Sequence, residues 1–170
     1  MCAMCGGQSL KEYVTGMHEL IGRHGWALQY VSDADADDSL ADTDETVIVP
    51  AFCYTIGLTA YDHPELIITG RSAHEAASVL NELARRVALG FAQFEAGLLC
   101  SAGGFELSFV DVPDRREWLA MASLVYPLDE IEALQAVWRD VNGHLPWEGP
   151  YPSTIVQPVL GAPRGWDDVD

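Results

Sequence analysis

The sequence predicts a single α+β domain, with a mixed, mostly antiparallel sheet and about three helices packed on it. Two capping boxes, at Ser9 and Ser72, each precede a run of apolar residues with helical spacing. Short apolar or alternating segments separate these helices without a regular strand–helix–strand period. The dipeptide Asn142-Gly143 is typical of a tight turn between antiparallel strands. We therefore expect the helices to cover one face of the sheet.

The N-terminal half predicts a helix, several strands and a second helix. The first helix begins after Ser9 and stops at Gly25, and residues 26–31 (WALQYV) then form a strand. Pro50 interrupts the next apolar segment, which predicts an edge, a bulge or two short strands because proline donates no ladder hydrogen bond. The alternation after this proline places Phe52, Tyr54 and Ile56 on one side and Ala51, Cys53 and Thr55 on the other. Residues 65–69 (ELIIT) form another strand ahead of the helix that begins after Ser72.

The C-terminal half is less regular. Residues 91–104 fit either a broken helix or a short hairpin, and residues 105–112 alternate as a strand. Pro113 and Asp114 predict the start of a third helix, capped in the sequence DRRE. Residues 133–140 read as a strand, and the turn at Asn142-Gly143 should pair Val137 to Asp140 with the segment HLPW. We expect three regions: an arm over residues 1–8, the α+β domain over 9–150, and an irregular acidic extension over 151–170.

Composition excludes several classes of function. The chain has 170 residues, a formal net charge of −17 and nine Lys and Arg residues, which argues against a nucleic-acid partner. No apolar stretch approaches the ~20 residues of a membrane span, and no secretory signal pattern precedes the first helix. Four irregularly spaced cysteines do not suggest a disulfide framework. We therefore expect a cytoplasmic protein that does not bind membranes.

Five segments carry a family resemblance, and they occur in this order: HGWALQYV, FCYTIGLTAYDHPELIITG, LNELARRVALG, ALQAVWRDVNGHLPW and QPVLG. Together they resemble the domain of unknown function 4262 family over most of the chain. The resemblance implies a small cytosolic α+β domain. It assigns no reaction and no catalytic residue.

Cys2 and Cys5 have the C-x-x-C spacing with which two thiolates share one zinc ion. A zinc site needs two further ligands, and the sequence contains no second C-x-x-C. Three alternatives stay open: an unliganded terminus, a metal site, or a redox or nucleophilic role for these thiols. Zinc bound by Cys2 and Cys5 is the one cofactor that the sequence suggests.

A second group of candidate residues surrounds the strands between Cys53 and Glu65. Cys53 and His63 form a candidate thiol–imidazole catalytic pair, because the intervening turn could return His63 beside the strand of Cys53. The alternative is that Cys53 is a buried core residue and that His63 satisfies a turn. Tyr54, Thr55, His63 and Glu65 are candidate ligand-binding residues near strand ends, where ligand sites tend to form.

The sequence contains no complete catalytic set, so we expect a domain that binds a small ligand or a protein partner. The alternative is a small Cys/His-dependent enzyme, either a hydrolase or a thiol redox protein. Exposed strand edges make a homodimer a further expectation.

Overall fold

A computed structural model describes residues 7, 9–32, 50–148 and 157–164. Within these residues six strands form one sheet in the order β1-β2-β3-β6-β5-β4. The strands are β1 (Ala27–Val31), β2 (Phe52–Ile56), β3 (Glu65–Thr69), β4 (Leu99–Ala102), β5 (Phe105–Asp111) and β6 (Ala133–Trp138). The helices are α1 (Leu10–His24), α2 (Ala73–Ala88) and α3 (Arg115–Trp118), and 3₁₀ turns occur at Leu58–Tyr61 and Ala122–Leu124.

The sheet is mixed and mostly antiparallel, as the sequence predicts. β1–β2, β2–β3, β4–β5 and β5–β6 pair antiparallel, whereas β3 and β6 pair parallel. The parallel pair aligns Glu65 with Ala133 and Ile67 with Gln135. The chain segments that lead into β3 and β6 therefore meet at one edge of the sheet.

Both predicted capping boxes are confirmed. The Ser9 hydroxyl accepts the backbone N–H of Glu12, and the Glu12 carboxylate accepts the backbone N–H of Ser9 at 2.8 Å. Ser72 and Glu75 repeat this arrangement at the start of α2. Gly25 ends α1 at a φ of 92°, which suits glycine because it has no Cβ atom.

The expectation that helices cover one face of the sheet is wrong. α2 packs with Cys53, Leu66 and Ile68 on one face, whereas α1 packs with Phe52 and Tyr54 on the other. The predicted alternation along β2 is thus confirmed. All five residues of β2 are buried, as are all five of β3. Because these strands present apolar side chains to both sides, each face of the sheet needs a cover.

The third helix is present as a single turn and lacks the predicted cap. α3 spans four residues, and Asp114 makes no side-chain capping bond. The backbone of Asp114 has φ −97° and ψ 68°, away from the extended conformation typical of a capping residue. The sequence pattern DRRE therefore marks a single helical turn.

Of the predicted hairpin after β6, only a backbone bond from the Asp140 N–H to the His144 carbonyl, at 2.9 Å, is present among the described residues. Gly143 has a φ of 81° but Asn142 does not have a positive φ, so the turn is not the mirror-image type that joins hairpin strands. Instead, the Asp140 carboxylate accepts the backbone N–H groups of Asn142 and His144, both at 2.9 Å. β6 pairs with β3 and β5, and no strand follows the turn within residues 144–148.

Residues 91–104, for which the sequence left two alternatives, contain a loop followed by β4. β4 pairs with β5 through a turn at Gly103 and Gly104, both of which have positive φ. Residues 91–104 alone therefore form neither a broken helix nor a complete hairpin, because the partner of β4 is the following strand, β5.

Residues 157–160 pack on the sheet within the region expected to be an irregular extension. The Gln157 amide oxygen accepts the backbone N–H of Trp138, and its amide nitrogen donates to the Trp138 carbonyl, both at 2.8 Å. The Pro158 carbonyl accepts the Thr69 hydroxyl at 2.9 Å and the Gln135 amide at 2.7 Å. The segment QPVLG thus lies against β3 and β6.

Candidate functional site

The site begins where β2 and β3 separate. The backbone pairing of these strands runs from Phe52 to Tyr54, and a side chain replaces it at the next position. The Thr55 hydroxyl accepts the backbone N–H of Leu66 at 2.9 Å and donates to a Glu65 carboxylate oxygen, Oε2, at 2.6 Å. Thr55 therefore joins the two strand ends to a buried carboxylate.

Glu65 is wholly buried, and hydrogen-bond donors surround its carboxylate. Besides Thr55, the second oxygen Oε1 accepts the backbone N–H of Gly57 at 2.9 Å, and from Thr59 both the backbone N–H at 3.0 Å and the hydroxyl at 2.8 Å. Glu65 thus caps the 3₁₀ turn that begins after Gly57, a residue without a side chain to do so. Burial raises the pKa of Glu65, and the bonds from Thr55, Thr59 and Gly57 oppose this rise.

His63 connects the same turn to a distant loop. Its ring nitrogen Nδ1 lies 2.7 Å from the Pro64 carbonyl oxygen, and its other ring nitrogen Nε2 accepts the backbone N–H of Phe94 at 2.9 Å. Because an amide can donate only to a lone pair, Nε2 is unprotonated and Nδ1 carries the hydrogen. Burial lowers the pKa of His63, which agrees with this neutral tautomer.

A cleft of about 360 Å³ opens beside His63 and is lined by Thr59, Asp62, His63, Asp129, Glu130 and Glu132. A second cleft of about 230 Å³ shares Glu132 with the first and is lined also by Pro64, Asp111, Val112, Pro113, Arg115 and Ala133. We refer to these two clefts together as the acidic trough. It lies at the edge of the sheet where the segments before β3 and β6 meet.

The acidic trough carries five carboxylates, from Asp62, Asp111, Asp129, Glu130 and Glu132. Its one basic residue, Arg115, donates to the Ile131 carbonyl at 2.6 Å. In the part of the chain that the structure describes, no three His, Cys, Asp or Glu side chains are arranged to hold a metal ion. The trough therefore presents spread negative charge, which suits a ligand with several separated positive charges.

The four residues predicted to bind a ligand divide between the surface and the core. His63 lines the acidic trough, whereas Tyr54, Thr55 and Glu65 lie in the core with relative exposures of 1% or less. The Tyr54 hydroxyl accepts the backbone N–H of Met121 at 3.0 Å, and burial raises its pKa. The predicted direct contact of these three residues with a ligand stays a prediction, and their observed bonds shape the wall beneath the trough.

The catalytic assignment of Cys53 and His63 also stays a prediction, and their contacts favour structural roles. Burial raises the pKa of the Cys53 thiol to about 12, so the nucleophilic thiolate is scarce at neutral pH. Both ring nitrogens of His63 are bonded to backbone groups, which leaves neither free to accept a thiol proton. Cys2 and Cys5, the predicted zinc ligands, lie outside the described residues.

Thr59, Asp62 and the acidic residues at 129–132 line the trough but were not among the residues predicted from the sequence. A usable signal was present, because acidic residues immediately precede two apolar strands in DHPELIIT and DEIEALQAV. What the sequence did not reveal is that these strands are parallel neighbours, which brings the two acidic segments together.

Two further clefts lie near the β4 edge of the sheet. One of about 480 Å³ includes Glu95, Trp147 and Arg164 in its wall, and one of about 520 Å³ includes Cys100 and Glu106. Both include Leu99 and Arg139. Arg139 is already paired with Glu148 and Glu106, so neither cleft presents one sign of charge.

Fold and site together define an α+β domain with an acidic trough at one edge of its sheet. The family model described as Domain of unknown function (DUF4262) matches residues 20–152. Because this match covers most of the 170 residues, the chain belongs to that family, and the resemblance seen in the sequence is confirmed. Searches of curated proteins and of solved structures found no match.

Proposed function

We propose that this protein is a binding domain whose acidic trough holds a basic peptide segment of a protein partner. The observation that carries this proposal is the set of five carboxylates along the trough, opposed by a single arginine that is bonded to a backbone carbonyl. Asp62, Asp129, Glu130 and Glu132 are exposed. Lysine or arginine side chains can therefore reach them without burial of unpaired charge.

The charge of the whole chain supports the same class of partner. A formal net charge of −17 creates a negative field that accelerates encounter with basic partners and repels acidic ones. The two clefts share Glu132, and their carboxylates come from three chain segments, at Asp62, Asp111 and 129–132, which supports an extended ligand. A peptide with separated positive charges fits this spacing better than a compact ion does.

The test measures binding of a lysine-rich synthetic peptide by isothermal titration calorimetry, with a glutamate-rich peptide as the comparison. The double variant Asp129→Asn/Glu130→Gln removes two trough carboxylates. The matched control Glu19→Gln/Glu117→Gln removes the same charge from exposed positions that do not line the trough. An exposed ion pair contributes about 0.2–1 kcal/mol, so the trough variant should weaken binding by about two- to thirtyfold and the control far less.

Equal weakening by both double variants would mean that the peptide senses only the overall charge, and the trough would then not be the site. Tight binding of a free polyamine without measurable binding of the peptide would contradict a protein partner. It would favour a small cationic ligand instead.

The zinc site at Cys2 and Cys5 is a separate proposal, supported by their C-x-x-C spacing. Elemental analysis of protein purified without added metal should show about one zinc ion per chain. The Cys2→Ser/Cys5→Ser variant should lose that zinc. Absence of zinc from the wild-type protein would contradict the proposal.

The enzyme alternative remains a second proposal, supported by the presence of Cys53 and His63 ten residues apart. A hydrolase or thiol redox activity would require loss of turnover in both Cys53→Ala and His63→Ala with the fold retained. Cys100→Ala is a suitable control, because it removes the other thiol among the described residues. Turnover that survives both substitutions would remove this alternative.

A cytoplasmic location is inferred from the composition and the cysteine pattern. Within the described ranges, each helix is too short or too polar to span a bilayer.

A homodimer is a further proposal, supported by the two edge strands of the sheet, β1 and β4, which could pair with a second copy. Leu99 on β4 is 63% exposed, whereas Arg86 from α2 donates to the Ser101 carbonyl at 2.9 Å and occupies part of that edge. Light scattering over a range of protein concentrations measures the mass. A monomer mass throughout would contradict the homodimer.

A further inference from the structure

His63 contacts two parts of the molecule, the acidic trough and the loop that contains Phe94. One side of the residue lines the acidic trough, and its Nε2 atom accepts the backbone N–H of Phe94 across a sequence separation of 31 residues. The rings of His63 and Phe94 also meet edge to face, with centroids 5.7 Å apart. A change in the state of His63 therefore acts on the loop that contains Phe94.

The Phe94 loop has a defined set of attachments. The Phe94 ring is buried and stacks on Phe109 with a centroid distance of 4.8 Å. Three residues further on, the backbone N–H of Gly97 donates to the Phe109 carbonyl at 2.8 Å. Residues 95–99 then line the cleft of about 480 Å³ near β4. The bond to His63 is thus a hydrogen bond that joins this loop to the trough side of the domain.

Protonation of His63 is incompatible with that bond. A proton on Nε2 turns the acceptor into a donor and sets it against the N–H of Phe94, while Nδ1 still donates to Pro64. The bond must then break, and the buried N–H of Phe94 loses its partner. Neutral His63 and the attached loop therefore occur together.

The groups around His63 have opposing effects on its protonation: some favour the imidazolium form and others the neutral form. Asp62 precedes it in the chain, and Asp129, Glu130 and Glu132 face it across the trough from the segment before β6. These carboxylates favour the imidazolium form, as does Glu65 behind the same turn where it is ionised. Glu95 follows Phe94 on the loop side. Burial of the ring and the bond from Phe94 favour the neutral form.

We propose that His63 is a proton-operated latch: acidification detaches the Phe94 loop, and a cation bound in the acidic trough keeps the latch closed. The second part rests on the proposed function. A positive ligand near the trough carboxylates disfavours a positive imidazole, so ligand and proton oppose each other. By linkage, the ligand lowers the pH at which the loop opens, and a proton on His63 weakens the ligand by the same factor.

The test follows hydrogen exchange of the Phe94 amide as a function of pH, corrected for the intrinsic exchange rate. Below the pKa of about 6.5 of a free histidine, the opening equilibrium should rise about tenfold per pH unit, since opening takes up one proton. The amide of Val137 in β6 reports global unfolding and should not follow this slope.

The variant His63→Gln keeps an amide oxygen that can accept the Phe94 N–H, and it does not titrate. Its opening equilibrium at Phe94, after the same correction for intrinsic exchange, should be independent of pH. His74→Gln, which changes an exposed histidine at the start of α2, should behave as wild type. A flat profile in the wild-type protein, or a slope that persists in His63→Gln, would overturn the latch.

If His63→Gln does not fold, nitrogen NMR of the wild-type imidazole decides the question. The latch requires a neutral ring with its hydrogen on Nδ1 at neutral pH, and a hydrogen on Nε2 would overturn it. Addition of the lysine-rich peptide should move the opening profile to lower pH. An intact latch without that shift overturns only the coupling to the trough, which separates the two proposals.

Discussion

Replacement of Glu65 tests the buried hydrogen-bond network beneath the trough. Glu65→Ala removes the acceptor for two backbone N–H groups, those of Gly57 and Thr59, and for two threonine hydroxyls. A buried donor left without a partner costs about 1–3 kcal/mol, so the two N–H groups alone should cost about 2–6 kcal/mol. Because domains of this kind unfold with about 5–15 kcal/mol, this loss is a large part of the total.

Glu65→Gln is the matched control, because it keeps the Oε1 acceptor that both N–H groups use. Its amide nitrogen takes the place of Oε2 and can donate to the Thr55 hydroxyl oxygen. We expect the free energy of unfolding to change by about 1 kcal/mol, the typical value for one rearranged hydrogen bond. Urea unfolding followed by tryptophan fluorescence measures both variants. The midpoint for Glu65→Ala should fall by about 0.7 M or more, given a loss of about 2–6 kcal/mol and slopes of about 1–3 kcal/mol per molar urea.

Burial of Glu65 also predicts how the free energy of unfolding depends on pH. Burial raises the pKa of Glu65 in the folded protein above its unfolded value of 4.5. The contribution of this group to stability is therefore fully present below pH 4.5 and is lost as the pH rises toward the folded pKa. Relative to the wild type, Glu65→Gln should gain stability over that rise. Equal stability of Glu65→Ala and Glu65→Gln would mean that the bonds to the Gly57 and Thr59 N–H groups do not stabilise the fold. No relative gain for Glu65→Gln would mean that burial does not raise the pKa of Glu65.

Three further substitutions probe single contacts. Thr55→Val should cost about 1–3 kcal/mol because it leaves the Leu66 N–H unpaired, whereas Thr55→Ser should retain the bond, both measured by urea unfolding. Gly103→Ala should destabilise more than Gly104→Ala, because both glycines have positive φ but only the added Cβ at Gly103 would approach atoms of α2 to 2.7 Å; equal thermal midpoints would contradict this. Gln157→Ala should cost about 1–3 kcal/mol by unpairing both backbone groups of one β6 residue, and an unchanged urea midpoint would mean that residues 157–160 do not stabilise the sheet.

The features that the sequence predicted correctly are local. A capping box needs two residues three positions apart, so Ser9 with Glu12 and Ser72 with Glu75 can be read without knowledge of the fold. Alternation along β2 is equally local, because successive side chains of any strand point to opposite faces.

The features that it missed depend on contacts between distant segments. Asn142-Gly143 predicted a hairpin from local preference, but β6 already has neighbours on both sides, β3 and β5. The Asp140 carboxylate accepts the backbone N–H groups of Asn142 and His144, and the chain after this turn packs on a face of the sheet, where Leu145 is buried with Val110 and Val137. A strand in the middle of a sheet has no free edge for a returning strand, and nothing in the local sequence shows that position.

In the candidate site, too, the sequence indicated the types of residue involved but not whether each is buried or exposed. The sequence correctly drew attention to Thr55, His63 and Glu65 as polar groups near strand ends, yet it did not reveal that Thr55 and Glu65 face inward. Their burial follows from the separation of β2 and β3, where a threonine hydroxyl replaces a backbone ladder bond and a carboxylate caps a turn. Thr55 and Glu65 therefore stabilise the buried wall beneath the trough and do not line its surface. The residues accessible to a ligand are the exposed ones that line the trough, Asp62 and the acidic residues at 129–132. These two segments lie close together because β3 and β6 pair in parallel.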